Sequence, residues 1–394
     1  MPTYQPLGHL SEAELLELMS RYYAGERVAT LLEQYRVNCS ASTLCSHFPP
    51  EPSAELCQYC NAPMVRPRRS KSWSSGSTLR CSQCAHIESS RCACTGCKFK
   101  RLREEDLRVQ QQHTKIQQFC FANWAYTPTQ IQPEQLTARQ AVALICLVRS
   151  GGWLDDSRIG PLSTSGIRFA PYAPDFQGSL IECLITADLL SPDPTSPSKA
   201  FTERGGQIVG MDFGQTHWVL RMPDGVRFVQ ALEIYVAAED WPNDWGEECC
   251  QIWRELAFAE CWEFCVYSLH QRNLPIPGAT ALTTLIENLL RDFSVSQFYQ
   301  FLWACAGDAV DYRARKGVTA PHASNYMIAS CQRRADRARA EGWKIKGFRR
   351  NFELSRTQIS YVLHDMFFKH GENGFTCRAD VPLSGALEGS EFAA

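Results

Sequence analysis

Two Cys-x-x-Cys pairs, Cys57/Cys60 and Cys81/Cys84, stand twenty residues apart. No other feature restricts this chain as much. Each pair places two thiols about one metal-ion diameter apart on a tight turn, and two pairs brought together complete a tetrahedral site for an ion such as zinc. A disulfide framework fits the pattern poorly. The total of nineteen cysteines is odd, nine of them fall between Cys39 and Cys97, and the opening MPTYQPLGHL lacks a charged-then-apolar secretory pattern. The expected compartment is therefore the cytoplasm. The remaining cysteines are scattered, and those such as Cys146, Cys183, Cys261 and Cys265 lie in apolar helical contexts, where they are expected to be small buried hydrophobes.

The segments Cys57-Gln58-Tyr59-Cys60-Asn61 and Cys81-Ser82-Gln83-Cys84-Ala85-His86 resemble the knuckles of a zinc ribbon. The resemblance implies a small antiparallel sheet held by one zinc at Cys57, Cys60, Cys81 and Cys84 rather than by a core. Ribbons favour glycine after each knuckle; here Asn61 and Ala85 stand there, and Asn tolerates a left-handed backbone better than Ala does. Cys92, Cys94 and Cys97 add three thiols within six residues. A second zinc on them needs a fourth donor, from His86 or Cys120. Otherwise they compete for the first ion or close the ribbon without metal.

The net charge of −2 conceals segregation. From Asn61 to Arg103 there are ten Lys/Arg and one acidic residue, and from Arg313 to Arg356 twelve and three. The stretch from Glu134 to Asp292 carries eleven basic and twenty-one acidic residues. Arg66, Arg68, Arg69 and Lys71 beside Trp73, with Lys98, Lys100 and Arg101, suit phosphate contacts with one stacking group. Arg333, Arg334, Arg337, Arg349 and Arg350 form a second basic set. Nucleic acid, with DNA preferred, is the expected partner. The acidic, Trp-rich stretch Trp241–His270 is expected to be core or to receive a protein partner or a second copy.

Fold class follows from the patterning: mainly α with small β elements. Residues 1-50 predict three short helices that resemble a helix-turn-helix of the resolvase and homeodomain kind. Its third helix, Ser40–Phe48, would present Asn38, Ser40, Ser42, Thr43 and His47 to base edges, although Arg36 replaces the turn glycine. Residues 51-107 predict the zinc-ribbon module, 120-240 a winged-helix-like α+β region, and 241-394 a helical domain carrying the basic segment. In the third region Phe201-Thr202-Glu203-Arg204 predicts a strand, and Ile208–Leu220 with Val226–Ile234 predicts a hairpin. A strand leading into Asp212-Phe213-Gly214 resembles the first hairpin of the ribonuclease-H-like superfamily, where the Asp would bind a divalent metal. Near the C-terminus, Leu354–Leu363 resembles a recognition helix with Arg356, Thr357, Gln358 and Ser360 facing outward. The longest apolar stretch, Ala141–Val148, is too short to span a bilayer.

Taken together, the sequence predicts a zinc-containing nucleic-acid-binding protein, a regulator or the recognition subunit of a larger system of mobile-element or antiviral-defence type. One alternative is a metal-dependent nuclease or transposase with Asp212 as its catalytic residue. Another is an adaptor whose ribbon docks a protein and binds no nucleic acid.

Overall fold

The computed structural model describes residues 6–71, 78–124, 126–162, 164 and 166–379. About 53% of the chain is helical, with only small antiparallel sheets of two or three strands. It divides into two compact units, Met1–Gln111 and Gln112–Ala394.

In the first unit, helix α1 (Glu12–Tyr23) starts from a reciprocal cap: the Glu14 N–H donates to the Ser11 hydroxyl and the Ser11 N–H to the Glu14 carboxylate. Helix α2 (Val28–Gln34) follows. Leu18, Met19, Tyr22 and Leu31 pack with Leu44 and Phe48 into a small core. The helix expected over Ser40–Phe48 does not form. Ser40 and Thr43 bond to each other through their hydroxyls (2.8 Å), and the Thr43 hydroxyl donates to the Ser40 carbonyl, leaving only one 3-10 turn at Leu44–His47. Short hydroxyl side chains that hydrogen-bond locally compete with the helical ladder. No recognition helix is therefore present at this place.

The ribbon sheet has three antiparallel strands in the order β1 (Glu51–Leu56), β2 (Pro63–Arg66) and β3 (Arg80–Cys81). Helix α3 (Thr95–Asn123) begins beside it.

The second unit begins within the end of α3 and continues to α4 (Ala138–Gly151), capped reciprocally by Thr137 and Gln140 and buried along most of its length. Next come β4 (Arg158–Ile159), α5 (Phe176–Thr186), β5 (Leu190–Pro192), β6 (Phe201–Arg204), β7 (Gln207–Met211) and β8 (Trp218–Leu220). One sheet has the order β4-β8-β5; β6 and β7 make a separate hairpin that turns through Gly205 and Gly206, both at positive φ. The strand expected over Val226–Ile234 is instead part of helix α6 (Gly225–Ala238). The Asp224 carboxylate caps it by accepting from the Arg227 N–H, and Val229, Leu232 and Val236 recur at helical spacing on the buried side.

The rest is a helical bundle of α7 (Asn243–His270), α8 (Ala279–Leu290), α9 (Val295–Lys316) and α10 (Ala320–Glu341). Helix α7 serves two cores: Trp245, Trp253 and Leu256 pack towards α4, while Phe264, Cys265 and Leu269 pack towards α8, α9 and α10. Trp245, Trp253 and Trp262 are buried and Trp241 is partly buried against the same core, so most of the Trp-rich stretch is core. The expected recognition helix near the C-terminus is also internal. Thr357, Gln358 and Ser360 are buried, and Arg356 is tied to Asp365 at 2.6 Å. The chain there forms one α turn, Gln358–Tyr361, that runs into a π-helical segment, Val362–Phe367. No described helix is long and apolar enough to cross a membrane.

Candidate metal centres and basic surface

The hairpin of β1 and β2 presents the Cys57 knuckle at its turn, and the turn after β3 presents the Cys81 knuckle. Their four sulfurs come together within 4.8 Å of one another, with Cys57–Cys84 at 3.6 Å and Cys60–Cys81 at 3.3 Å. Zinc–sulfur bonds of ~2.3 Å in a tetrahedron put sulfurs about 3.8 Å apart, so the set fits such an ion with small adjustment. Both knuckle ends use a left-handed residue, Asn61 at φ 54 and Ala85 at φ 56. The turn aims backbone donors at sulfur: the N–H groups of Cys84 and Gln83 lie 3.4 Å from the Cys81 sulfur and lower its thiol, while the shared cluster raises the thiols of Cys60 and Cys84. A thiolate is the form that binds metal.

A second group lies close by. His86, Cys92, Cys94 and Cys97 also bring their donor atoms within 4.8 Å of one another. The imidazole points Nδ1 at all three sulfurs, at 3.4 Å from Cys92, 3.6 Å from Cys94 and 3.4 Å from Cys97. Backbone N–H groups of Cys94 and Ile87 draw the Cys92 thiol down to about 6. Cys120, the other fourth donor considered from sequence, is instead buried against Ile116, Ala200 and Phe201. The two groups can thus hold metal ions through four thiols and through three thiols with one imidazole. These are donors suited to soft or borderline ions.

The two centres share parts that the sequence pattern did not single out. Gln58, inside the first knuckle, sets its side-chain amide 3.1 Å from His86 Nε2. The amide nitrogen is the atom that faces Nε2; a metal on Nδ1 would put the imidazole proton on Nε2 and turn the amide so that its oxygen accepts. The Tyr59 ring stands edge-on to His86 at 5.0 Å, and its hydroxyl lies 3.5 Å from the Cys97 sulfur, a contact that pushes the phenol up to about 12. Gly96 lies flat on that ring: a Cβ there would come within 2.5 Å of it. Residues inside a knuckle carry no spacing signal of their own, which is why only the folded turn exposes their role.

The expected phosphate-binding residues divide into two kinds. Arg66, Arg69 and Lys98 are exposed and form no ion pair among the described residues. Arg68 instead donates to the Pro49 carbonyl and pairs with Glu51, and Lys71 donates to the Glu26 carbonyl at 2.8 Å and sits over the Tyr22 ring. Arg68 thus ties the strand ends of the sheet together, and Lys71 fastens the N-terminal helices to it. Lys100 makes a long pair with Glu104, and Arg101 donates to the carbonyls of Ser90 and Cys92, bracing the second centre. Trp73 lies outside the described residues. In the second unit Arg333, Arg334, Arg337 and Arg349 are exposed, with Arg337 paired to Glu341. Arg350 is different: it is partly buried and pairs with the buried Glu260 at 2.6 Å, so its charge is neutralised within the fold rather than presented to a ligand.

Asp212 caps its own turn, accepting from the Gly214 N–H at 2.8 Å, and belongs to no group of metal-ligating side chains among the described residues. Comparison with protein-family models, with curated proteins and with solved structures gives no match.

Proposed function

We propose that the chain is a zinc-containing nucleic-acid-binding protein in which two adjacent zinc centres order an N-terminal basic module. The observation that carries this reading is the pairing of two complete four-donor groups with an exposed Arg66, Arg69 and Lys98 on the same unit. Thiolate-rich donor sets favour zinc, and a module this small gains from a metal what its core cannot supply. Phosphates are the ligands that exposed, unpaired guanidinium and ammonium groups attract at long range. A role as regulator or recognition subunit of a larger assembly follows if this contact positions other proteins on DNA.

Metal analysis of the full chain tests the first half: two zinc ions per chain are expected, falling by one in Cys57→Ser and by one in Cys92→Ser. A single zinc in the wild type would remove the second centre. Retention on duplex DNA across a salt series tests the second half. A linear fall of log K with log salt is expected, and a flat plot would turn the assignment towards an adaptor. That second reading draws on α3, where Phe99, Leu102 and Val109 are all more than half exposed. An apolar face of this kind suits a protein partner.

A further inference from the structure

Beyond α10 the chain from Trp343 to Arg349 is extended and held along the start of α9. The Phe348 N–H donates to the Ser296 carbonyl (2.9 Å), the Ser296 hydroxyl to the Phe348 carbonyl (2.6 Å), and the Gln297 amide to the Ile345 carbonyl (3.1 Å). Gly347 permits the approach: a Cβ there would meet the Ser296 hydroxyl at 2.0 Å. The segment thereby becomes a fixed wall of a cavity of about 430 Å³ whose other wall includes Arg334 of α10.

Arg334, Lys344, Lys346 and Arg349 all line this cavity, together with Trp343 and Phe348. The four cations form no ion pair among the described residues. The nearby carboxylate of Glu341 is already engaged, by Arg337 at 3.4 Å and by the Trp343 indole N–H at 2.7 Å. Like charges gathered in a concave site repel one another until an anion enters, and a partly exposed indole beside them offers a stacking face. A cavity also suits an unpaired strand better than a duplex, whose base edges are read by elements that protrude into a groove.

We propose that this cavity binds one nucleotide of a single-stranded nucleic acid, its phosphate on Arg334, Lys344, Lys346 and Arg349 and its base against Trp343. The inference rests on the nucleic-acid reading above and adds to it a separate contact, in the second unit, with a preference for unpaired strand.

The test uses the full zinc-loaded chain, a fluorescent oligothymidylate of about ten nucleotides and a DNA duplex as separate probes, with anisotropy followed across a salt series. Replacing Lys344→Gln with Lys346→Gln should weaken oligothymidylate binding and lower the magnitude of its salt slope by up to about 0.7, from the one phosphate held there. Trp343→Ala should weaken it by about 5- to 100-fold. Duplex binding should follow Arg66→Ala with Arg69→Ala instead. Thymidine monophosphate and inorganic phosphate should displace the oligonucleotide only at millimolar concentration. If oligothymidylate binding survives both cavity variants while the Arg66/Arg69 variant loses it, the cavity site is overturned and the proposed function stands. The same holds if only the duplex binds. If neither probe binds, both fall. Displacement by the mononucleotide as effective as by the strand would overturn the strand assignment in favour of a free nucleotide. Lys344 and Lys346 are exposed, so the paired Gln variant keeps the test open should Trp343→Ala misfold.

Discussion

Ala85 occupies a position that its side chain disfavours. A left-handed backbone costs a residue with a Cβ about 1–2 kcal/mol, and at Ala85 it turns the chain back so that the His86 carbonyl accepts from the Cys81 N–H at 2.8 Å. Ala85→Gly is therefore expected to stabilise the first unit by about 1 kcal/mol, offset in part by glycine's freedom in the unfolded chain. A higher chelator concentration at half-loss of zinc would show it; no change would mean that the turn relaxes without strain. The need for a left-handed residue at 61 and 85 was legible in the sequence, because a knuckle turn has one geometry whatever surrounds it. The role of Arg350 was not. Its neighbours in sequence are basic, and only long-range packing sets it beside Glu260, whose carboxyl is pushed up by burial. Arg350→Ala leaves that acid without its partner and should cost about 3–5 kcal/mol in urea unfolding. Arg350→Met with Glu260→Gln should recover most of the loss, and equal losses in the single and paired variants would contradict the account.

Elements are set locally where cap chemistry and helical spacing agree: in the structure Ser11-Glu12-Ala13-Glu14 and Thr137-Ala138-Arg139-Gln140 open α1 and α4 as reciprocal caps. They misled where a local pattern had two outcomes. Pro223-Asp224-Gly225 suits a hairpin turn and a helix start equally, and the inward spacing of Val229, Leu232 and Val236 decided for the helix. The segment from 354 to 363 has the polarity of a recognition helix, yet it is taken inside by partners remote in sequence. Its continuation carries a further consequence. His364 and His370 share a hydrogen bond of 2.9 Å beside Trp253. Burial lowers the His364 imidazole well below its usual range and His370 to about 4. The unfolded chain takes up these protons near ~6.5, so it binds more protons than the folded chain between there and the folded values. The stability they contribute is present above about 6.5 and is lost as pH falls towards 4. Urea midpoints followed by tryptophan fluorescence should drop over that window, and less steeply in His370→Gln. A parallel drop in the variant would place the acid sensitivity elsewhere.

For the whole molecule, the two units owe their order to different physics. The first has a small core and two metal-ligating groups; the second has two extended cores that meet along α7. Removing metal with a chelator should expose amides in 51–66 and 80–100 to rapid hydrogen exchange while α7 and α9 stay protected. Tryptophan fluorescence should barely change, since nine of the ten tryptophans lie beyond Gln111. Unfolding of both units together would refute this independence. Scattered cysteines fit the same division: Cys146, Cys249, Cys261, Cys265, Cys305 and Cys331 are fully buried among apolar neighbours of the second unit.

The sequence by itself determined the class of fold, the thiols of the first centre and the separation of charge, because each follows from short-range rules: donor spacing, helical period, composition. Tertiary structure alone decided that His86 and not Cys120 completes the second centre, that Gln58 and Tyr59 link the two, and that some arginines hold the fold together while others face solvent. Those outcomes depend on which distant segments meet, and a linear pattern of charges or thiols is the same before and after they do.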